Sequence, residues 1–360
     1  GLIVGSLTGE GKRERLEQVI RILLEKRPQH LTLVRDEPED RKYTSENSGP
    51  LSFPGKVLAS GNRIYIADSG HNRILETTEH GQIIRQFGGN SGGFNDGSCM
   101  EAAFSNPQGM VLTDEFLFVA DTGNHAIRRI RRHSGEVETV AGTGNVVISP
   151  QGDYFTNPAE TDLNSPSGIA ISRNVIYIAM TGLHQIWAHS LLTNTLEILA
   201  GSGREGIVDG VSRTACFAQP SALTLMDDTL FVADAKSSAV RAVDLRTRKV
   251  STLVGRSLCD CGDNDGHAAD ARMQFPLDIH ADPRHKQLWV ADTYNNKIKR
   301  IQTKNNLVSS VPLGHRLDEP GGLAFNGDSL YIANTNVHEI VRLNLRNGKT
   351  QSLNVNNDAL

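Results

Sequence analysis

The chain has 360 residues, a formal net charge of −4, 34 glycines and a hydrophobic content of 38%. That length suits two average domains or one large all-β domain, and no apolar run is long enough to span a bilayer. The charge gives no global attraction to nucleic acid or an anionic membrane, and four cysteines in such a length do not make a disulfide scaffold. The first residue is Gly1 rather than Met, so the compartment stays unknown, with a soluble cytoplasmic setting the favoured expectation.

In chain order, "GLIVGSLTG" reads as a short apolar strand and a glycine turn. "GKRERLEQVIRILLEKRP" follows with a helical period: Leu16, Val19, Ile20, Leu23 and Leu24 form one apolar stripe, and Pro28 ends it. One strand and one helix cannot make a domain, so residues 1–30 read as a remnant whose stripe needs a surface to dock on. Residues 31–50 read as a linker, with "LTLVR" at Leu31 either part of it or a strand added to the next unit.

A repeat then takes over. "IYIADSGHNRIL" begins at Ile64 and "LFVADTGNHAIRRI" at Leu117. "IYIAMTGLHQIW" begins at Ile176, "LFVADAKSSAVR" at Leu230, "LWVADTYNNKIK" at Leu288 and "LYIANTNVHEIV" at Leu330. The residue after the alanine is Asp68, Asp121, Met180, Asp234, Asp292 or Asn334, and six positions on comes Ile74, Ile127, Ile186, Val240, Ile298 or Ile340. A proline leads each unit: Pro54, Pro107, Pro166, Pro220, Pro276 and Pro320. The step from proline to the Asp position is 14 residues, but 16 in the fifth unit. Each unit reads as four short antiparallel strands bounded by turn residues. One such sheet cannot bury both faces alone, whereas six arranged radially can, so residues 51–355 are expected to form a closed ring. In this reading the Asp after the alanine is architecture: it ends the second strand, and its carboxylate accepts backbone N–H groups of the turn that follows.

The six units resemble NHL repeats, a six-bladed β-propeller family, over about Leu51 to Val355. "SFPGKV" at Ser52, "HQIW" at His184, "FAQPSAL" at Phe217 and "GDNDG" at Gly262 resemble a subgroup in which a thioredoxin-like domain precedes the propeller. The first residues are similar to the last strand and helix of a thioredoxin fold. The resemblance implies an all-β six-bladed propeller with a short strand-helix remnant, cut from a longer protein at Gly1. It implies a non-catalytic interaction role for the propeller, partnered by the thioredoxin-like domain or its protein substrates. Any thiol-disulfide oxidoreductase activity would lie upstream, since no Cys-x-x-Cys motif is present here.

The candidate binding face carries the turns between second and third strands: His71, Asn72, Asn124, His125, His184, Asn295, Asn296, Asn336 and His338. Replacing several of them is expected to weaken partner binding with little loss of stability. The connections between units add Asp96-Gly97, Asp209-Gly210 and Asp265-Gly266, each 11 residues ahead of the unit's proline. A metal-dependent enzyme of the lactonase or lyase type is the first alternative, and it needs three or more His, Asp or Glu side chains converging at the axis. The repeat spreads its histidines round a ring instead, so neither a metal set nor a cofactor is assigned. "CGDNDG" fails as a calcium loop, because Cys261 and Arg272 stand at its first and twelfth places. A nucleic-acid-binding propeller is the second alternative, resting on "IRRIRRH" from Ile127 to His133, one basic strand in an acidic chain. Cys259 and Cys261, one residue apart, are the candidate redox pair, with Asp260, Asp263 and Asp265 opposing thiolate formation. Cys99 and Cys216 read as small core residues.

Overall fold

The computed structural model describes residues 49–356 apart from Asn90 and Cys259. The expected remnant, its stripe from Leu16 to Leu24 and most of the linker lie outside the described residues.

Six antiparallel sheets follow one another, each built from four consecutive strands. The innermost strands are Pro54–Ser60, Pro107–Leu112, Pro166–Ser172, Pro220–Met226, Asp278–Asp282 and Pro320–Asn326. Each neighbours the next around a common axis, and the first meets the last, which closes the ring. The expected all-β, six-bladed propeller is therefore present, and its helical segments among the described residues are three-residue 3-10 turns.

The core is divided into six apolar slabs, one between each pair of neighbouring blades. The repeated alanine and the β-branched residue seven positions after it enter the same slab: Ala120 with Ile127, Ala233 with Val240, Ala333 with Ile340. Each β-branched side chain of the motif is fully buried, which stabilises by roughly 1.5–3 kcal/mol apiece. This periodic burial is why the spacing is so regular. The fifth blade's two extra residues sit in a longer hairpin at residues 283–286, because Asp278 pairs with Ala291 as Ala222 pairs with Ala233.

The structure adds one feature to the four-strand unit. The incoming connection lays a short fifth strand on the outer edge of three blades: Tyr154–Phe155, Gly210–Val211 and Gly266–His267. The second blade has the same pairing as a single bridge, Gly97 to Val137. At the rim of the first blade, Asn356 pairs with Gln82, so the last described residues reach back across the closure.

Candidate binding face

The turns between second and third strands are built alike. Each is a single 3-10 turn ending in a residue with left-handed backbone: Asn72, His125, His184, Ser238, Asn296 or His338, at φ of 50–59°. Asn and His tolerate that region better than most side chains, which explains their recurrence.

These six side chains share one task. Each accepts the backbone N–H of the residue that precedes the next blade's proline. Asn72 takes Asn106 (2.9 Å), His125 takes Ser165 (3.0 Å) and His184 takes Gln219 (3.1 Å). Ser238 takes Phe275 (3.2 Å), Asn296 takes Glu319 (2.7 Å), and His338 closes the ring onto Phe53 (2.8 Å). The residues so held are themselves left-handed, Phe53 at φ 44° and Phe275 at φ 51° among them, a conformation that costs a bulky side chain about 1–2 kcal/mol. A second clasp lies beside the first. The hydroxyl of Ser69, Thr122, Thr181, Thr293 or Thr335 donates to the next proline's carbonyl at 2.6–2.9 Å. Where the fourth blade has Ala235, Ser221 reaches the Pro276 carbonyl instead (3.0 Å).

The Asp after the alanine is fully buried in every blade that has it. Its backbone donors are not the N–H groups of the turn that follows. Its Oδ1 accepts a backbone N–H from ahead of the blade's proline, as Ser52 to Asp68, Ser105 to Asp121, Ala218 to Asp234 and Gln274 to Asp292. Its Oδ2 accepts a side chain of the following turn: His71, Asn124, Ser237 or Asn295, at 2.7–2.8 Å. Asn336 donates its backbone N–H to the Asp318 carbonyl. The proposed face residues are thus half-buried or exposed turn groups already engaged in hydrogen bonds. The expectation that they can be replaced with little loss of stability does not fit this geometry, since each removal leaves a backbone or carboxylate partner short of a bond.

Blades 2, 4 and 5 add a buried cation seven residues after the Asp. Arg128, Arg241 and Lys299 have no exposed surface. Arg128 bridges Asp121 (2.8 Å) to Asp96 (2.7 Å), and Arg241 bridges Asp234 (3.4 Å) to Asp209 (3.0 Å). Lys299 lies 3.8 Å from Asp292 and 3.1 Å from Asp265. The outer Asp also accepts the N–H and hydroxyl of Thr139, Thr252 or Ser310. The glycine after it, at φ 133° for Gly97 and Gly266, makes the turn that aims it. So the Asp-Gly pairs are the exposed ends of this relay, whose cation and inner Asp are buried. Burial pushes the Asp234 and Asp292 carboxyls up to about 6, against the pull of their cations and hydrogen bonds.

Among the described residues no three His, Cys, Asp or Glu side chains are grouped to hold a metal. In "CGDNDG", Asp263 pairs with Lys297 and Lys299. In "IRRIRRH", Arg128 is buried, Arg129 pairs with Glu138, Arg131 pairs with Glu115, and Arg132 donates to main-chain carbonyls. Cys216 is buried, Cys99 half-buried and Cys261 exposed, all free thiols; Cys259 lies outside the described residues.

Sequence comparison decides the family. A Gallus gallus protein named NHL repeat-containing protein 2 is 37% identical over 393 residues, covering 96% of this chain, and the Homo sapiens protein of that name is 36% identical. The chain is an NHL-repeat six-bladed propeller. It is also 34% identical to the Arabidopsis thaliana protein SUPPRESSOR OF QUENCHING 1, named as chloroplastic, over 98% of its length. This NHL-repeat chain spans about half the length of the animal relatives (54%) and about a third of the plant one (36%). No protein-family model matches it. Solved propellers share the fold alone: a streptogramin B lyase (TM-score 0.53, 15% identity, 85% of this chain and 84% of that one) and a chain of a nidogen/laminin complex (0.54, 13%, 82% and 92%). No helix among the described residues is long and apolar enough to cross a membrane.

Proposed function

We propose that this propeller is a non-catalytic docking domain attached to a thioredoxin-like redox domain. In this reading its turn face receives that domain or the domain's protein substrates. The observation that supports the face is the distribution of exposed apolar side chains. Of the exposed large apolar residues, Phe53, Phe94, Val146, Ile148, Val208, Leu258, Tyr294 and Val337 lie in turns or blade-to-blade connections, while Met100, Tyr154 and Val211 lie where the connections run along the outer edge of the blades. In the hairpins of the opposite face, Leu192 is the one large exposed apolar residue among those described. An excess of exposed apolar groups on the turn side of the ring is what a protein partner recognises. The likeness to longer relatives supports attachment to a further domain.

The test is binding of a purified thioredoxin-like domain to the chain by titration calorimetry. Ile148→Lys combined with Tyr294→Lys and Val337→Lys should weaken binding at least tenfold and leave the unfolding midpoint nearly unchanged, since all three side chains are exposed. Leu192→Lys should leave binding intact. Unchanged binding in the triple variant, with loss on Leu192→Lys, reverses the face.

A further inference from the structure

The repeat shows where this ring departs from itself. Two residues after each blade's proline, the innermost strand faces its neighbours across the axis. Four blades carry Gly109, Gly168, Ala222 and Gly322 there. The space explains the choice: a Cβ at Gly109 would lie 2.4 Å from the Ser167 carbonyl oxygen, and one at Gly168 would lie 2.4 Å from the Ala222 Cα. The other two blades carry Lys56 and Asp278, a charged pair in a ring of glycine and alanine. Packing of the repeat calls for neither.

The pair is buried and unequally placed. The Lys56 residue is 6% exposed, and its Nζ lies 3.1 Å from Asp278 Oδ1 and within hydrogen-bond distance of the Leu277 carbonyl. Asp278 also accepts the Ile279 N–H (2.9 Å) and the Leu323 N–H (2.7 Å). Two cavities meet at this level. The lower one, about 210 Å³, is lined by both Lys56 and Asp278. The upper one, about 370 Å³, opens among the turns and is lined by Gly55, Ser69, Ser167, Ser221 and Gly321, with Lys56 its one charged lining residue. An ammonium has three N–H donors, and two are engaged. Burial lowers the Lys56 pKa, and Asp278 opposes that shift.

We propose that the upper axial pit is an anion site in which Lys56 receives a carboxylate of a docked polypeptide, an Asp or Glu side chain or a C-terminus. The pit sees the cation and is screened from its partner carboxylate. Its walls are small, and its mouth lies at the centre of the turn face with Phe53 on its rim. This deepens the docking reading and rests on it for the source of the carboxylate, while the anion chemistry rests on the pit alone.

The experiment follows thermal unfolding of the full chain in sodium acetate against sodium chloride at matched ionic strength, then with N-acetyl-glutamate N-methylamide. The wild-type midpoint should rise with acetate beyond its rise in chloride, and Asp278→Asn should keep that response. Lys56→Met combined with Asp278→Asn, which removes both charges together, should lose it, with at least a tenfold weaker apparent affinity. The blocked glutamate should act at lower concentration than acetate. Absence of an acetate-specific rise in the wild type, or an equal rise in the double variant, overturns the site. Acetate acting as strongly as the blocked glutamate overturns the polypeptide source. Because the triple lysine variant of the docking test leaves Lys56 in place, docking can stand while this proposal falls.

Discussion

Blades 2, 4 and 5 differ from blades 1, 3 and 6 at one buried point. The first set joins the buried Asp to a carboxylate of the incoming connection through Arg128 or Arg241, and to two of them through Lys299. The third blade has Met180 and a fully buried Trp187 at the matching positions, with the Trp187 indole donating to Gln185 (2.8 Å). The sixth has Asn334 bonded to Glu339 (2.8 Å), and the first uses Arg73 against Asp68 (2.7 Å). The same backbone therefore accepts an ionic relay, an apolar plug or a neutral amide. The relay specifies how a connection docks onto its blade, while the clasps common to all six blades hold the ring.

Removing one partner of a relay has the largest effect. Arg241→Met leaves Asp234 buried without its cation and should cost about 3–5 kcal/mol, measured by denaturant unfolding. Copying the third blade instead, Asp234→Met with Arg241→Trp, removes both buried charges and should recover most of that loss, because an apolar substitute for a buried ion pair is often neutral. A double variant as unstable as the single would show that the relay holds its blade in a way the plug cannot.

A smaller effect separates the clasps by chemistry. The Nδ1 of His184 and His338 accepts a backbone N–H, which requires a neutral ring, and burial lowers both pKa values below the ordinary 6.5. A depressed folded pKa gives stability that is present above pH 6.5 and is lost as pH falls towards the folded value. Asp234 and Asp292, raised to about 6, act in the opposite direction, since their charging costs stability as pH rises from 3.8. The histidine share is isolated by difference. His184→Asn copies Asn72 and Asn296, should stay within about 0.5 kcal/mol of wild type at neutral pH, and should lose less stability on acidification. Parallel pH profiles for the two proteins would remove the titrating clasp.

Much of this was legible in the six aligned copies. The alanine, the β-branched residue and the proline each serve a packing task that recurs with the blade, so their spacing alone gives the propeller. The structural role of the Asp was legible too, but its donors were not, because Ser52 and Ala218 lie two residues ahead of the proline that pairs with the Asp across the first hairpin, in a connection whose path the repeat does not specify. The clasps had a signal in the sequence: a hydroxyl one position after the Asp in five units, and Asn, His or Ser four positions after it in all six. So did the relay, since the Asp-Gly pairs precede only the blades with Arg or Lys seven positions on. The axial pair of Lys56 and Asp278 had none beyond its departure from the repeat, because what faces it is set by six strands far apart in the chain.

Docking of a protein on the turn face predicts a footprint in the hydrogen exchange of the chain, compared free and bound to a thioredoxin-like domain. Added protection should fall in the connections at residues 91–106, 143–165 and 201–219 and in the turns at 69–72 and 293–296, with the hairpins at 113–115, 191–194 and 283–286 unchanged. Protection confined to those hairpins, with the turns unaltered, would place the partner on the opposite face.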